Sequence, residues 1–363
     1  MSTTTRSASL RIAFATATLA LGAVAASSSC ADFREGPADA SGDGASDGGS
    51  PFTVVQAVPE GRALYSVWGA DKDHVFAVGS DNLRYEYVGG QWKPFTPIIL
   101  GQDLECVWGT SATNVYAVGV IQSTGQGIVE HFDGQGWADE YIAPTPLSAV
   151  WGDGQLVLAV GTQGLIYGKT EGTTAWALRV ASGLPANPKV PSGPDDPILW
   201  GIAGPSFDDF AMPAGLDRVF VHQDAGFVNL DPVVDRTIDF RAVFAVPGSQ
   251  PTSYLFGTNY LGAAWLSSTG PPDAAVVMNG MVSLFQDRSS AGTASQFIYG
   301  IWGTATRFVF VGDQGRIATY DAAINQVSVV PSPVTDSLAG VWGSSLSDVW
   351  IVGQRELILH GSL

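Results

Sequence analysis

One unit recurs along the chain and restricts the folds open to it. Each copy contains an apolar segment that ends in Trp-Gly, a short polar turn, a second apolar segment and a closing glycine. The five clear copies begin at Tyr65, Glu105, Ser148, Tyr299 and Ala339. Two weaker copies surround Trp200 and Phe244, and the aromatic anchors of successive copies lie 40 to 58 residues apart. A period of this size indicates one small sheet per repeat.

Each repeat has room for four strands, and the two ends of the chain complement each other. The second segment is apolar on both faces, as a strand between neighbouring sheets must be. The last repeat supplies three strands before Leu363, whereas residues 52–58 form a strand-like segment without a partner in their own repeat. If residues 52–58 paired with the last repeat, the ring would close and the unpaired sheet edges of an open array would be removed. We therefore expect an all-β, seven-bladed β-propeller with four-stranded blades, closed by residues 52–58 pairing into the C-terminal blade.

The first strand of most repeats has a small residue two places before its aromatic anchor. Ser66, Cys106 and Gly340 are examples. Because side chains alternate along a strand, the small residue shares a face with the aromatic residue. We expect it to make room where the innermost strands approach one another around the axis.

The composition suits short buried strands joined by tight turns. Hydrophobic residues make up 45% of the chain and charged residues 14%, with 44 glycines and 21 prolines. The formal net charge of −17 argues against a nucleic-acid partner, because such proteins gather Lys and Arg to neutralise phosphates. Two cysteines cannot form a disulfide framework, and no CxxC or Cys/His cluster indicates a metal site. We expect neither a metal nor a cofactor.

The N-terminus has the pattern of an export signal. Residues 1–11 are polar with two arginines, and residues 12–26 are uncharged and apolar. Two cleavage sites compete: one after Ala25, and one before Cys30, where Ser27 stands in the place usually taken by leucine in a lipoprotein signal. We predict a signal peptide over residues 1–29, lipidation of Cys30, a Gly/Ser/Asp-rich linker over 30–51 and a propeller over 52–363. The expected location is an outer-membrane or periplasmic lipoprotein, with a secreted protein as the alternative.

The Trp-Gly-x-Ser-x-x-Asp/Asn-Val-x-x-Val-Gly pattern resembles repeats of exported bacterial propeller proteins, often lipoproteins, over nearly all of residues 52–363. The Val-Gly-x-x-Gly segments at 160–164 and 311–315 more loosely resemble photosystem II assembly-factor-like propellers. Asp-box propellers are similar only in the Gly-x-Trp part of their turns. The resemblance implies a fold rather than a ligand, since propellers host unrelated functions.

Loops after the second strands and between blades commonly share the face around a propeller's central opening. Polar residues there would bind a protein, peptide or glycan, although each also suits ordinary turn chemistry. The candidate residues of this ligand face after the second strands are Asp81, Gln163, Asn259, Tyr260, Asp313, Gln314 and Arg355. Those in the blade linkers are Arg241, Arg62, Asp195, Asp196, Arg236 and Arg288. We expect a monomeric, non-enzymatic binding or scaffold module of the cell envelope.

The alternative is an extracellular propeller hydrolase or lyase acting on glycans. Carboxylates are plentiful, but sequence spacing cannot reveal the separation that paired catalytic acids require. Four histidines, His74, His131, His222 and His360, fall in different repeats at positions that we take as non-equivalent, which disfavours a metal site. The long, Pro-rich linker Ala181–Pro197 would cap the central opening or contact a partner, although as an irregular loop it needs no function.

Overall fold

A computed structural model describes residues 49–58, 61–179, 198–216, 219–223, 226–230, 239–249, 252–258, 262–267, 277–284 and 297–363. The predicted signal peptide, Cys30, most of the predicted 30–51 linker and the Ala181–Pro197 linker lie outside these residues, so the domain boundaries at the N-terminus remain predictions. Within the described ranges, no helix has the length and apolar character needed to cross a bilayer.

The described residues form antiparallel sheets that follow one another along the chain. Sheet I contains β2 (Leu64–Asp71), β3 (His74–Gly79), β4 (Arg84–Val88) and β5 (Gln91–Pro94). Sheet II contains β6 (Gln102–Ser111), β7 (Asn114–Ile121), β8 (Gln126–Phe132) and β9 (Trp137–Ala143). Sheet III contains β10 (Leu147–Gly152), β11 (Leu156–Gly161), β12 (Ile166–Thr170) and β13 (Ala177–Leu178).

The same hairpin order continues through the second half of the chain. Sheet IV contains β14 (Ala203–Ser206), β15 (Asp209–Pro213), β17 (Val219–Gln223) and β18 (Gly226–Leu230). Sheet V contains β16 (Gly215–Leu216), β19 (Asp239–Ala245), β20 (Ser253–Thr258), β21 (Gly262–Ser267) and β22 (Val277–Ser283). Sheet VI contains β23 (Ile298–Gly303), β24 (Arg307–Gly312), β25 (Ile317–Asp321) and β26 (Gln326–Val330). Sheet VII contains β27 (Leu338–Ser345), β28 (Asp348–Gly353), β29 (Leu357–Gly361) and β1 (Phe52–Gln56).

The prediction of seven four-stranded blades is wrong. Among the described residues, six blades have four strands, and sheet V has five. The extra strand is β16, which leaves sheet IV after β15 and pairs with β19 through Gly215 opposite Phe240 and Leu216 opposite Asp239. A two-residue strand has no periodic pattern of its own, so only the pairing in the folded chain reveals it.

The predicted pairing of the two chain ends is confirmed. β1 is the outermost strand of sheet VII and runs antiparallel to β29, with Phe52 opposite Gly361 and Thr53 opposite His360. Phe52 is the buried residue of this strand, at 2% exposure. The segment 52–58 therefore completes the sheet that the last repeat leaves one strand short, although the strand ends at Gln56.

Four of the Trp-Gly repeats join one sheet to the next. A Cβ added to Gly109 would lie 2.9 Å from the ring of Trp68, so the tryptophan of sheet I packs directly on the glycine of sheet II. The same contact joins Trp108 with Gly152, Trp302 with Gly343 and Trp342 with Gly69. The last of these runs from the final repeat to the first. The repeating dipeptide therefore supplies contacts between sheets as well as strands within them.

The small residues of the first strands lie where innermost strands of neighbouring sheets meet, as expected. A Cβ on Gly340 would lie 3.2 Å from the Ser66 Cα atom. The Ser66 hydroxyl accepts a hydrogen bond from the Val107 backbone amide at 3.2 Å, and the Cys106 sulfur accepts one from the Val150 amide at 3.3 Å. Larger side chains would separate these strands and open the centre of the molecule.

Candidate functional site

Four tight turns connect second and third strands at one end of the sheets. In each, both central residues have positive φ, and the amide of the fourth residue donates to the carbonyl of the first, which is the geometry of a type I′ turn. The predicted residues Asp81, Gln163, Gln314 and Arg355 occupy the same first central position, with φ of 53°, 61°, 59° and 60°. The structure therefore gives four residues of the predicted ligand face one equivalent place in their repeats.

The blade linkers lie at the same end as these turns. The Ser80 amide donates to the Ala63 carbonyl at 3.0 Å, which ties the turn after β3 to the residue before β2. A Cβ on the closing glycine Gly79 would lie 2.0 Å from that carbonyl oxygen, so only glycine allows the contact. The same close approach recurs at Gly119, Gly161, Gly312 and Gly353. We call the surface formed by these turns and linkers the central face.

Asp81 fixes the central face between sheets I and II. Its carboxylate accepts hydrogen bonds from the Gly101 amide at 2.9 Å and from Arg62 Nε at 2.8 Å. The hydrogen bond from Gly101, followed by that from Arg62, holds the pKa of Asp81 below its usual value. Its own amide donates to Asp103 Oδ1 at 2.9 Å. Asp81 therefore already has partners, and its side chain is 31% exposed.

Asp313 lies at the first position of its turn rather than at a central one. Its carboxylate accepts hydrogen bonds from the Phe297 amide at 2.8 Å and from the Ser337 hydroxyl at 3.1 Å. Burial raises the pKa of Asp313 despite these bonds. Its side chain thus links the linkers that precede sheets VI and VII. Arg355, in contrast, is 51% exposed and pairs with Asp336, so it is the more accessible of the two.

We predicted Arg241 to lie in a blade linker, but it lies inside β19. Its guanidinium group lies 4.1 Å from the ring centre of Trp200 and 5.0 Å from that of Phe297, and it pairs with Asp239 Oδ2 at 2.9 Å. Cation–π contacts of this kind hold a planar guanidinium in one orientation. Arg62 does lie in its linker. Asn259, Tyr260, Asp195, Asp196, Arg236 and Arg288 lie outside the described residues.

The position of Arg241 belongs to a set that sequence reasoning missed. In β19 the pairing register slips between Phe240 and Ala242, so Arg241 is an extra, bulged residue. Such a bulge re-aims a side chain away from the ladder. The first strands of six of the seven described sheets share this slip, with β14 of sheet IV as the exception. The bulged residues are Tyr65, Glu105, Ser148, Arg241, Tyr299 and Ala339. We call these six residues the bulge ring.

The bulge ring lies at the central face. In sheet I, the bulge at Tyr65 follows Leu64, which pairs with Gly79, the residue just before the type I′ turn. Innermost strands of neighbouring sheets contact each other, as β2 does with both β6 and β27. The ring therefore brings residues from different repeats to one end of the axis, where Tyr65, Glu105 and Tyr299 are 8%, 7% and 8% exposed and Arg241 is half-buried. In the sequence, each bulge-ring residue comes immediately before the small residue of its first strand. That position was the signal from which the ring could have been found.

A buried polar cluster supports this face between sheets I and II. Asn82, the second central residue of the first turn, is fully buried, and its Nδ2 donates to Gln102 Oε1 at 2.9 Å and to Glu130 Oε1 at 2.5 Å. Arg84 Nη1 pairs with Glu130 Oε2 at 2.9 Å, and Arg84 Nη2 donates to the Pro97 carbonyl. Burial raises the pKa of Glu130, although Arg84 acts in the opposite direction. The cluster fixes the turn that carries Asp81.

A second buried network joins sheets II and III, and the sequence did not indicate it. Lys169 Nζ lies 2.6 Å from Glu140 Oε1, and the side chains are 2% and 8% exposed. Glu140 also accepts a hydrogen bond from Trp176 Nε1 at 2.6 Å and contacts His131 Nδ1 at 3.1 Å. Lys169 Nζ lies 4.6 Å from the ring centre of Tyr116, which stacks on His131. A carboxylate, an amine and an imidazole meet here, but they satisfy one another inside the fold.

Glu140 predicts how stability depends on pH. Burial by itself would raise the pKa of Glu140, but hydrogen bonds from His131, Lys169 and Trp176 outweigh it and lower the pKa to about 2. A depressed folded pKa stabilises the fold above the unfolded value of roughly 4.3, and this contribution is lost as pH falls towards 2. We therefore expect Glu140→Gln to flatten the loss of stability between about pH 5 and pH 3, measured by urea unfolding.

The exposed variant Asp73→Asn is the control for that measurement, since Asp73 is 63% exposed and pairs only with the exposed Lys72. It should follow the parent curve. Parallel acid curves for the parent and Glu140→Gln would contradict the assignment.

Three of the four histidines do occupy equivalent positions, so the expectation that none do is wrong. His131, His222 and His360 each lie on a third strand opposite an aromatic residue of the second strand. Their rings stack on these partners, with centres 4.5, 4.9 and 3.9 Å apart. The register between strands, which the sequence does not show, creates this equivalence. Among the described residues, no group of three or more His, Cys, Asp or Glu could hold a metal ion.

Solved structures share this architecture. The chain is similar to YCF48 bound to D1 peptide, with a TM-score of 0.63 and 14% identity over 87% of this chain and 98% of that one. It is also similar to YCF48 from Cyanidioschyzon merolae (TM-score 0.61, 13% identity, 86% and 99% covered) and to the WD40 β-propeller domain of Doa1 (0.60, 11%, 86% and 97%). No protein-family model and no curated protein matches the chain. At these identities the likeness shows the fold alone, and the chain is an all-β β-propeller.

Proposed function

We propose that the chain is an exported, non-enzymatic binding module that holds a segment of a partner protein at its central face. The observation that carries this proposal is the bulge ring, which repeats one backbone irregularity in successive sheets and so collects side chains from distant parts of the sequence. β-Bulges are over-represented at sheet edges, at the rims of barrels and next to active sites, where they re-aim a side chain.

The residue types of the central face favour a peptide over a small ion or a nucleic acid. Tyr65, Tyr299 and Arg241 are of the kinds that are enriched at protein interfaces, where they anchor a partner. Arg355 adds an exposed cation, whereas Glu105 is buried at 7% exposure. The structure of YCF48 bound to D1 peptide shows that a related fold takes a peptide. That likeness supports the class of ligand and leaves its sequence open.

Export and anchoring form the second part of the proposal. A polar segment, an apolar segment and then Cys30 follow one another at the N-terminus, in the order of a lipoprotein signal. A Gly/Ser/Asp-rich run separates Cys30 from β1. Mass spectrometry of the mature N-terminus tests this part directly. A chain that begins at Cys30 with an acyl mass supports it, and a chain that begins at Ala26 without one contradicts it.

The binding proposal is tested with a displayed library of random peptides selected on the immobilised full chain. Peptides recovered in this way are then titrated against the parent, Arg241→Ala, Arg355→Ala and, as a control on the outer rim, Arg307→Ala. We expect the two central-face variants to weaken binding by about tenfold each, the usual effect of an interface anchor worth more than about 1 kcal/mol. The control should bind as the parent does, and thermal unfolding verifies that all variants remain folded.

Two results would contradict this function. One is a set of peptides whose affinity is unchanged in both central-face variants. The other is turnover of glycosides or esters by the purified chain that disappears on replacing a single carboxylate, which would favour a hydrolase instead.

A further inference from the structure

The structure fixes where the N-terminal linker joins the propeller. The Ser50 hydroxyl donates to the Pro331 carbonyl at 2.8 Å and accepts a hydrogen bond from the Phe52 amide at 3.1 Å. The Ser362 amide donates to the Pro51 carbonyl at 3.4 Å. Residues 50–52 are thus held at the outer rim, between the last strand of sheet VI and the last strand of sheet VII.

Exposed apolar side chains lie on the segments that meet at this junction. Val54 and Val55 on β1 are 46% and 48% exposed, and Ile324 and Val329 of sheet VI are 64% and 62% exposed. We call these four residues the rim patch. Ile324 and Val329 line a cleft of about 380 Å³ together with Pro51, Leu346 and Leu363, and Val54 and Val55 lie on the strand that follows Pro51. Clustered exposed apolar side chains on a soluble protein commonly mark a contact surface.

The charges beside the patch cancel. Arg307 and Asp321 line the cleft and pair with each other, with Arg307 Nε 3.2 Å from Asp321 Oδ2. The chain as a whole carries a formal charge of −17. A formally neutral, apolar rim on a strongly acidic protein can approach an anionic lipid surface that would repel most of the remaining surface.

The length of the linker keeps this rim close to the anchor. Nineteen residues, 31–49, separate Cys30 from Ser50, and their Gly/Ser/Asp-rich composition is that of a flexible chain. Such a chain has an average end-to-end distance of roughly 20–25 Å. Because the linker joins at the rim patch, that patch is the part of the propeller with the shortest path to the bilayer.

We propose that the rim patch rests on the lipid bilayer, with its apolar side chains at the boundary between headgroups and acyl chains. This inference rests on the proposed lipidation of Cys30. The propeller axis then lies along the membrane plane, and the central face points sideways, where a partner protein can reach it. Surface binding of this kind grows with buried apolar area.

The test uses the mature chain with Cys30→Ala, which carries no acyl group, and vesicles of phosphatidylethanolamine and phosphatidylglycerol. We expect the chain to co-sediment with the vesicles, and we expect Ile324→Ser combined with Val329→Ser to lower its partition coefficient by roughly tenfold. The matched control is Ile98→Ser combined with Leu100→Ser, because those side chains are 39% and 73% exposed in the linker of the central face. This control should partition as the Cys30→Ala chain does.

Three outcomes would overturn the inference. The chain does not co-sediment with vesicles in a way that depends on Ile324 and Val329, or the control double variant loses as much partitioning as the rim double variant. The third is a changed oligomeric state in the rim double variant, which would identify a second copy of the chain as the occupant. Both pairs lie at exposed positions, so thermal unfolding should show a folded chain in each. Mass spectrometry of the native N-terminus tests lipidation of Cys30, and vesicle co-sedimentation tests the rim patch. The two parts of the inference are therefore contradicted by different measurements.

Discussion

Replacing Glu140 by alanine should lower the free energy of unfolding by about 3–5 kcal/mol, as expected when one partner of a buried ion pair is removed. Lys169 is 2% exposed, and Glu140 is the carboxylate that contacts its ammonium group, at 2.6 Å. Without Glu140, the charge of Lys169 stays buried beside the rings of Tyr116 and Trp176. The measurement is equilibrium unfolding in urea at neutral pH.

A second variant separates the buried charge from the loss of packing. Lys169→Met in the Glu140→Ala background removes the unpaired ammonium while retaining an unbranched apolar side chain, so it should recover most of the loss. The control is Asp321→Ala, which breaks a partly exposed pair with Arg307 and should cost less than about 1 kcal/mol. A loss in Glu140→Ala no larger than in this control would show that the network does not hold sheets II and III together.

Trp68→Ala should destabilise the propeller by about 3–5 kcal/mol, the usual cost of truncating a large core aromatic residue. Trp68 is fully buried and packs on Gly109 of the next sheet and near Phe76 of its own, with ring centres 6.3 Å apart. Its removal leaves a cavity between two sheets that cannot close without moving both. Thermal and urea unfolding of the variant measure the effect.

Two comparisons make this result specific. Trp68→Phe should cost clearly less than Trp68→Ala, because Phe244 fills the corresponding position of another repeat and is fully buried there. Val329→Ala removes an exposed side chain and should change the free energy of unfolding by less than about 0.5 kcal/mol. Equal effects for Trp68→Ala and Val329→Ala would contradict the role of the Trp-Gly contact.

The candidate site divides into a part that local sequence predicts and a part that it does not. Asp81, Gln163, Gln314 and Arg355 follow an apolar strand and a closing glycine, and this local order placed them correctly after the second strands. The common turn geometry of these residues supports treating them as equivalent. Arg241 was assigned to a linker, whereas β19 begins two residues earlier, at Asp239.

The bulge ring and the two buried polar networks could not be predicted because each depends on register or on contacts between sheets. Tyr65 and Tyr299 differ from ordinary strand residues only by a slip in the pairing of neighbouring strands. Glu140 and Lys169 are 29 residues apart in the sequence and belong to different sheets. The alternation of side chains along a strand shows which face of the sheet a residue occupies. It does not show which residue of another sheet that side chain contacts.

The sequence alone determined the repeat, the short antiparallel strands and the pairing of the first strand with the last sheet. Those features rest on local patterns: Trp-Gly pairs, closing glycines and apolar segments of strand length. The folded chain decided that six blades have four strands while sheet V has five, which residues bulge and which buried charges meet. The reason is that hydrophobic pattern and turn chemistry act between near neighbours in sequence, whereas register, added strands and ion pairs between sheets are fixed only when distant segments pack together.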